Sequence, residues 1–462
     1  MLNRTILALA AAPLLTLAAP QAFAQDAPAP LNTERMVEAV AAEADTGKFM
    51  GAVLVAKGDE KVLDRAWGSA DLEWDIANTT DTKFRIGSVT KQFTAVSILL
   101  LQEQGKLTLD DPISKHLKDT PEAWSALTVR QILRHTAGLP NVTNLDSFGD
   151  VVRDPISQDE LIGMFKDLPL EFEPGSSWKY SNSGYVLASK IVENVSGETL
   201  SDFYQANIFD PLGMAATGLD VSATILPKRA DGYSPTGDDK TVMNAPYADM
   251  GIPTGAGAMY STTGDLMKWQ RGLFGGKVLS EESLAEYVTT TGKDAFRGSQ
   301  YAHGVMVFKE DGNTAYSHGG GIQGFNAWLA YDPDREVTVV VLANLNGGAA
   351  TKLGMQLTTL AQGGEVTLPG DRKVANIAAD DLAQYEGTFA LTPSFKIKMF
   401  VEDGKLMTQA TGQGANEMFY EGDDRFFLKV VDAQVRFNRD EAGAINSITL
   451  FQNGREIPGP KE

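Results

Sequence analysis

In the stretch FRIGSVTKQFTAVSILLLQEQGKL, residues 84–107, Ser88 precedes Lys91 by three positions at the opening of an apolar run. On a helix, residues three apart share a face, so the two side chains come within hydrogen-bond reach. Serine is a poor nucleophile until a base takes its proton, and a lysine held away from water has its pKa lowered enough to be that base. A helix start also presents unpaired N–H groups that can stabilise an oxyanion. The pair therefore suits acyl transfer to serine. The competing reading is an N-cap serine beside a solvated lysine. A second match, Ser176 with Lys179 in EPGSSWKYSN, reads as a loop and shows that the spacing also arises by chance.

Two further clusters follow in order. WKYSNSGYVLASKIVENVSG places Tyr180, Ser181 and Asn182 just before a helical pattern, and YSHGGGIQGF sets His318 ahead of Gly319, Gly320 and Gly321 at the start of a strand. Taken singly, Tyr180 reads as a core tyrosine and His318 as a structural histidine. HGGG also invites comparison with a lipase oxyanion loop. That loop precedes its nucleophile, however, and this chain has no Gly-X-Ser-X-Gly. His116, His135 and His303 form no metal-ligand spacing and read as structural.

The ordered set of Ser88-X-X-Lys91, Tyr180-X-Asn182 and His318-X-Gly320, with ILRHTAGLP and EPGSSWKYSN between its members, resembles the serine β-lactamase and penicillin-binding-protein superfamily. Within it the chain looks most like the class C and CubicO-type branch, which includes D-aminopeptidases, D-peptide carboxypeptidases and esterases. The resemblance covers residues 32 to 362, and the C-terminal segment looks like the small β domain that follows such hydrolases.

What the resemblance implies can be assigned residue by residue. Ser88 is the acylated nucleophile and Lys91 its proton acceptor. Tyr180 is the shared base that protonates the leaving group, as a phenolate or a strongly hydrogen-bonded phenol. Asn182 holds the substrate amide. The N–H groups around Gly321 and of Ser88 form the oxyanion hole. His318-Gly319-Gly320 stands where the family has Lys-Thr-Gly, so a permanent cation for a substrate carboxylate gives way to an imidazole charged only in part near neutrality. That departure favours amidated, esterified or amine-terminal substrates over β-lactams. No Glu-X-X-Leu-Asn loop of the class A type is apparent. No cofactor or metal is implied. The rival reading is a penicillin-recognising or cell-wall-binding protein that acylates without efficient turnover.

The elements that must position these residues are legible around them. LNTERMVEAVAAEADTGKF has helical spacing, and GAVLVAKGDEKVLDRAWGSAD alternates and turns at Gly58-Asp59. A helix is expected from Ser88 to Gly105, another over STTGDLMKWQRGLFGG with Ser261 or Thr262 as N-cap, and a third over residues 349–361. Four antiparallel strands are expected between Tyr301 and Asn346. The expected class is α/β (α+β): an antiparallel sheet flanked by helices, a mainly helical lobe from Pro112 to Gly257, and a small all-β barrel-like domain. The expected organisation is a signal peptide over 1–24, a hydrolase domain over 25–365, a linker over 366–379 and the β domain over 380–462.

Composition sets the limits. A chain of 462 residues needs more than one core. The net charge of −20 opposes nucleic-acid or anionic-lipid partners, leaving a small-molecule or peptide substrate. With no cysteine, thiolate metal sites and disulfides are excluded. The apolar start ending in Ala22-Phe23-Ala24 reads as a cleaved leader, so a periplasmic or secreted protein without a transmembrane segment is expected. Oligomeric state is not legible.

The two serine-lysine pairs can be separated by experiment. Replacing Ser88 by alanine should abolish covalent labelling by a fluorophosphonate, while Ser176→Ala should label normally; the reverse pattern would reassign the nucleophile.

Overall fold

Asn32 accepts the Arg35 N–H at 3.0 Å and starts helix α1, Thr33–Ala44, in the computed structural model of the chain, which describes residues 31–236, 241–293, 295, 298–310, 312–452 and 455–462. The leader expected at 1–24 lies outside the described residues. The hairpin expected next is present as β1, Gly51–Lys57, and β2, Glu60–Trp67. Helix α2 spans Thr90–Glu103, and α3 spans Asn182–Ser196. Helix α4, Thr263–Phe274, is capped by Thr262 Oγ1, which accepts the Asp265 N–H at 3.2 Å. Strands β3, Met306–Glu310, β4, Asn313–Ile322, β5, Phe325–Asp332, and β6, Val337–Ala343, are the four expected ones, and α5, Ala349–Ala361, follows.

These strands form one antiparallel sheet in the order Gln300–Tyr301, β3, β4, β5, β6, β1, β2. The N-terminal β1 slots between β6 and β2, with Gly51 opposite Ala343 and Lys57 opposite Val337. Both faces of its centre are covered, so β1 is buried from Gly51 to Ala56 rather than alternating as expected, and VTVVVLA reads as a continuous apolar run. Ala52, Leu54, Val340 and Leu342 pack with α2 and α4 on one side. Val53, Val55, Val339 and Val341 pack with α1 and α5 on the other. The segment from 105 to 257 holds short helices and loops around Trp124, Phe165 and Tyr185, forming the helical lobe against α2.

Beyond α5 the pattern changes to eight strands between Gly387 and Pro460, paired in chain order. The Glu462 N–H donates to Thr388 O at 2.9 Å, bringing last strand to first and nearly closing the barrel around Phe389, Phe426 and Phe437. An ion cluster ties this part to the α1 and α5 layer. Lys352 Nζ lies 2.7 Å from both Glu43 and Asp432, and Arg372 pairs with Asp432 at 2.9 Å. Among the described residues, no helix is long and apolar enough to cross a membrane.

The site is positioned where β4 meets the turn before α2. Pairing of β3 with β4 ends at Met306–Ser317, so residues 318–321 have no strand neighbour on that edge among the described residues. The approach there is so close that a Cβ on Gly320 would lie 1.9 Å from the Ile86 carbonyl oxygen. Gly87, at φ +50°, would place a Cβ 2.7 Å from the Gly321 nitrogen. Only glycine permits both contacts. Gly320→Ala should therefore push β4 off the turn, lowering stability by about 1–3 kcal/mol and slowing Ser88 labelling. Unchanged melting and labelling would show that this contact is not needed.

Candidate active site

The helix expected from Ser88 instead starts at Thr90. Ser88 sits in a 3-10 turn, Gly87–Val89, anchored by the Ile86 N–H donating to Met259 O at 2.9 Å. The N-cap position of α2 is Val89, with no side-chain cap bond. Ser88 is thus half-buried with its hydroxyl free for other partners. Lys91, one turn on, has no exposed surface. Its Nζ is 2.7 Å from Ala256 O, 2.8 Å from Asn182 Oδ1 and 3.1 Å from Ser88 Oγ. Burial pushes the Lys91 pKa well below its ordinary value, so the neutral amine is favoured. A neutral amine has two N–H groups and one lone pair. Ala256 O, Asn182 Oδ1 and Ser88 Oγ are all within reach of Nζ as acceptors, and loss of one proton from the amine frees a lone pair for the Ser88 hydroxyl proton.

Tyr180 O–H donates to the same oxygen, Ser88 Oγ, at 2.8 Å. Burial raises the Tyr180 pKa, and the bond to Ser88 lowers it only in part. Of the two states the sequence left open, the free site therefore holds a phenol. The resulting chain places Ser88 Oγ between the Tyr180 hydroxyl, which donates to it, and Lys91 Nζ. It can remove the serine proton on one side and supply a proton on the other. Lys91 Nζ also lies 4.9 Å from the Tyr180 ring centre and 5.4 Å from that of Tyr185, ready to stabilise an ammonium once formed.

Asn182 opens α3, and its N–H donates to Asn141 Oδ1 at 3.0 Å. Its Nδ2 gives one N–H to Thr143 Oγ1 at 3.1 Å, and the second N–H of that amide remains for a ligand. Asn182 therefore orients Lys91 as well as lining the cavity. That cavity, about 660 Å³, is bounded by Ser88, Asn182, Gly321 and an apolar wall that includes Val142, Phe148 and Ile252. Gly321 reaches it directly, while Gly320 holds the strand against the serine turn.

His318 departs from the expectation of partial charge. Its ring is 4% exposed, Nδ1 lies 2.6 Å from Gly319 O, and Nε2 lies 2.9 Å from Tyr301 Oη. A carbonyl can only accept, so Nδ1 carries the proton and Nε2 accepts from Tyr301. Burial, aided by the nearby Lys91, pushes the His318 pKa down to about 3. The ring is neutral throughout the range in which it was expected to gain charge.

Other residues of the site are not singled out by the sequence, in which His135 reads as structural although it lies in ILRHTAGLP. His135 is buried at φ +58°, accepts the Ser181 N–H at 3.2 Å, and lies 4.3 Å from the Tyr180 ring and 4.6 Å from that of Tyr301. Burial holds its pKa well below the ordinary value as well. Tyr301 and the Ala256 carbonyl belong to no recognisable motif. The second serine-lysine pair stays apart: Ser176 is exposed in a turn, and Lys179 pairs with Glu171 at 2.7 Å. Among the described residues, no group of three or more His, Asp or Glu could hold a metal ion.

Residues 36–361 match the family model described as Beta-lactamase, and residues 371–459 match a domain of unknown function, DUF3471. The chain belongs to the beta-lactamase family. It is 28% identical to Penicillin-binding protein 4* of Bacillus subtilis (strain 168) over 433 residues, covering 88% of this chain and 94% of that one. Among solved structures it resembles the penicillin-binding protein from Bacillus halodurans, with 29% identity, TM-score 0.61 and coverage of 70% and 97%. It also resembles the D-amino acid amidase from Ochrobactrum anthropi SV3, with 25% identity, TM-score 0.63 and coverage of 72% and 98%. The fold is that of β-lactamase and penicillin-binding-protein-like serine hydrolases.

The buried histidines have a thermodynamic consequence. His303 and His318 are both pushed down to about 3 by burial, whereas an unfolded histidine titrates near its ordinary 6.5. Below pH 6.5 the unfolded chain binds more protons, so folding stability should fall as pH drops toward 3. The slope is at most about 1.4 kcal/mol per pH unit per histidine. Urea midpoints at pH 7, 6, 5.5 and 5 measure it, in a window above most carboxylate titration. A flat profile would mean that the rings are solvated.

Proposed function

We propose that the chain is an exported serine hydrolase that carries the acyl group of small amides or esters on Ser88 and passes it to water. The observation that supports this reading most is the buried Lys91, whose pKa burial pushes well below its ordinary value and whose Nζ lies 3.1 Å from a Ser88 Oγ that also receives the Tyr180 hydroxyl. In acylation, Ser88 Oγ attacks the carbonyl carbon and its proton passes to Lys91. The N–H groups of Ser88 and Gly321 receive the oxyanion. When the intermediate collapses, the bond to the leaving amine or alcohol breaks and Tyr180 O–H protonates it. That leaves an ammonium and a phenolate side by side. In deacylation, water attacks the acyl carbon and loses its proton to the Tyr180 phenolate, while Ser88 Oγ leaves with the proton held by Lys91. All groups return to their starting states.

The substrates favoured are amides, esters and short D-amino-acid peptides without a carboxylate. No lysine, arginine or histidine is among the described residues lining the cavity, and the buried His318 is neutral, so no cation is offered to such a group. The likeness to a D-amino acid amidase points the same way. Export rests on the leader pattern ending at Ala24. The alternative, a penicillin-recognising protein that stays acylated, draws on the relatives named penicillin-binding proteins. Nitrocefin, p-nitrophenyl acetate and butyrate, and D-alanyl p-nitroanilide separate the two. Steady turnover of esters or the anilide supports the hydrolase, and one burst without a steady phase supports the binder.

The proton chain makes its own prediction. Lys91→Ala and Tyr180→Phe should each lower kcat by about 10²–10⁴-fold with the fold retained. In the wild type, kcat/KM should rise with pH through the depressed Lys91 pKa, because only the neutral amine can accept the serine proton. Residual activity of Lys91→Ala should lack that acid limb. Unfolding of Tyr180→Phe with specific activity spared would return Tyr180 to a core role.

A further inference from the structure

Asp249 is the only carboxylate lining the 660 Å³ cavity among the described residues, and no lysine, arginine or histidine lines it. The Asp249 side chain is fixed in place. Oδ1 accepts the Gly251 N–H at 2.8 Å, and Oδ2 accepts the Tyr247 hydroxyl at 3.2 Å. Its own N–H donates to Val152 O at 2.9 Å, tying it to the segment that supplies the cavity's apolar wall. A carboxylate has about four lone-pair sites, so roughly two remain for a ligand.

We propose that Asp249 is a specificity-determining residue that anchors a positively charged amine on the substrate while the apolar wall takes the adjoining side chain. The inference rests on the hydrolase reading of Ser88, and it narrows the substrate class to amides or esters bearing a free amine. The charge preference follows from the lining itself, which among the described residues holds no cation to compete with a substrate ammonium for the carboxylate. The two apolar neighbours Val152 and Phe148 make the site suited to an aliphatic or aromatic side chain next to the amine.

The test compares D- and L-phenylalanine p-nitroanilides with their N-acetyl derivatives at about pH 6.5, where a free α-amine is largely protonated. It is run on the full chain, as wild type, Asp249→Asn and Asp249→Lys. Asparagine preserves the shape and the acceptor for the Gly251 N–H, and circular dichroism verifies the fold. In the wild type, kcat/KM should favour the free amine over the acetylated form by at least about tenfold. Asp249→Asn should reduce that ratio by about ten- to a hundred-fold, chiefly through KM. Asp249→Lys should shift preference toward the N-succinyl derivative. A ratio that is the same in wild type and Asp249→Asn, with fluorophosphonate labelling intact, would overturn the role of Asp249 and leave the hydrolase reading standing. Absence of both turnover and labelling in the wild type would overturn the hydrolase reading and this inference with it.

Discussion

A single nitrogen, Lys91 Nζ, is buried where a cation would be costly, and three separate segments are fitted around it. Helix α2 carries the lysine, α3 contributes Asn182 at its first turn, and the short helix Thr254–Gly257 contributes a carbonyl. The last of these is itself fastened to α2. Thr94 Oγ1 donates to Gly255 O at 2.6 Å, and the Met259 N–H donates to Thr90 Oγ1 at 3.2 Å. An apolar residue in place of Lys91 would remove the desolvation cost, yet it would leave the buried Ala256 carbonyl without this donor, at about 1–3 kcal/mol. The same burial that costs stability lowers the Lys91 pKa in the direction that the chemistry needs.

The surroundings act in the same direction. His135, His318, Tyr180 and Tyr185 surround the amine with rings that burial keeps uncharged. A charged imidazole so near Lys91 would repel the ammonium that has to form during turnover. A neutral one accepts a hydrogen bond from Tyr301 and packs near the ring of Tyr180. A neutral His318 thus adds no repulsion to the charging of Lys91.

Much of this was legible in the sequence because it depends on local rules. The turn at Gly58, the Thr262 cap, the alternation of the late strands and the change of pattern before the β barrel all follow from residue type and period. Ser88, Lys91, Tyr180 and Asn182 could be selected from their spacing and order, and they do come together. What stayed hidden depends on distance along the chain. The partner of Lys91 at Ala256 is a backbone carbonyl 165 positions away, and every residue has one. The start of α2 shifted by two residues because Gly87 at φ +50° turns the chain before the helix can begin. The charge of His318 was misjudged because it depends on Tyr301 and on burial, neither of which a motif encodes.

The placement of β1 between β6 and β2 carries a kinetic consequence. Gly51–Lys57 emerges early in synthesis, and its second partner, Val337–Ala343, is completed nearly three hundred residues later. Until then one edge of an apolar, β-branched strand has no mate, the kind of segment that associates with other chains. Pairing over such a separation also makes the sheet slow to close. The strand at the centre of the sheet, β1, is thus the one most exposed to misassembly until β6 has been made.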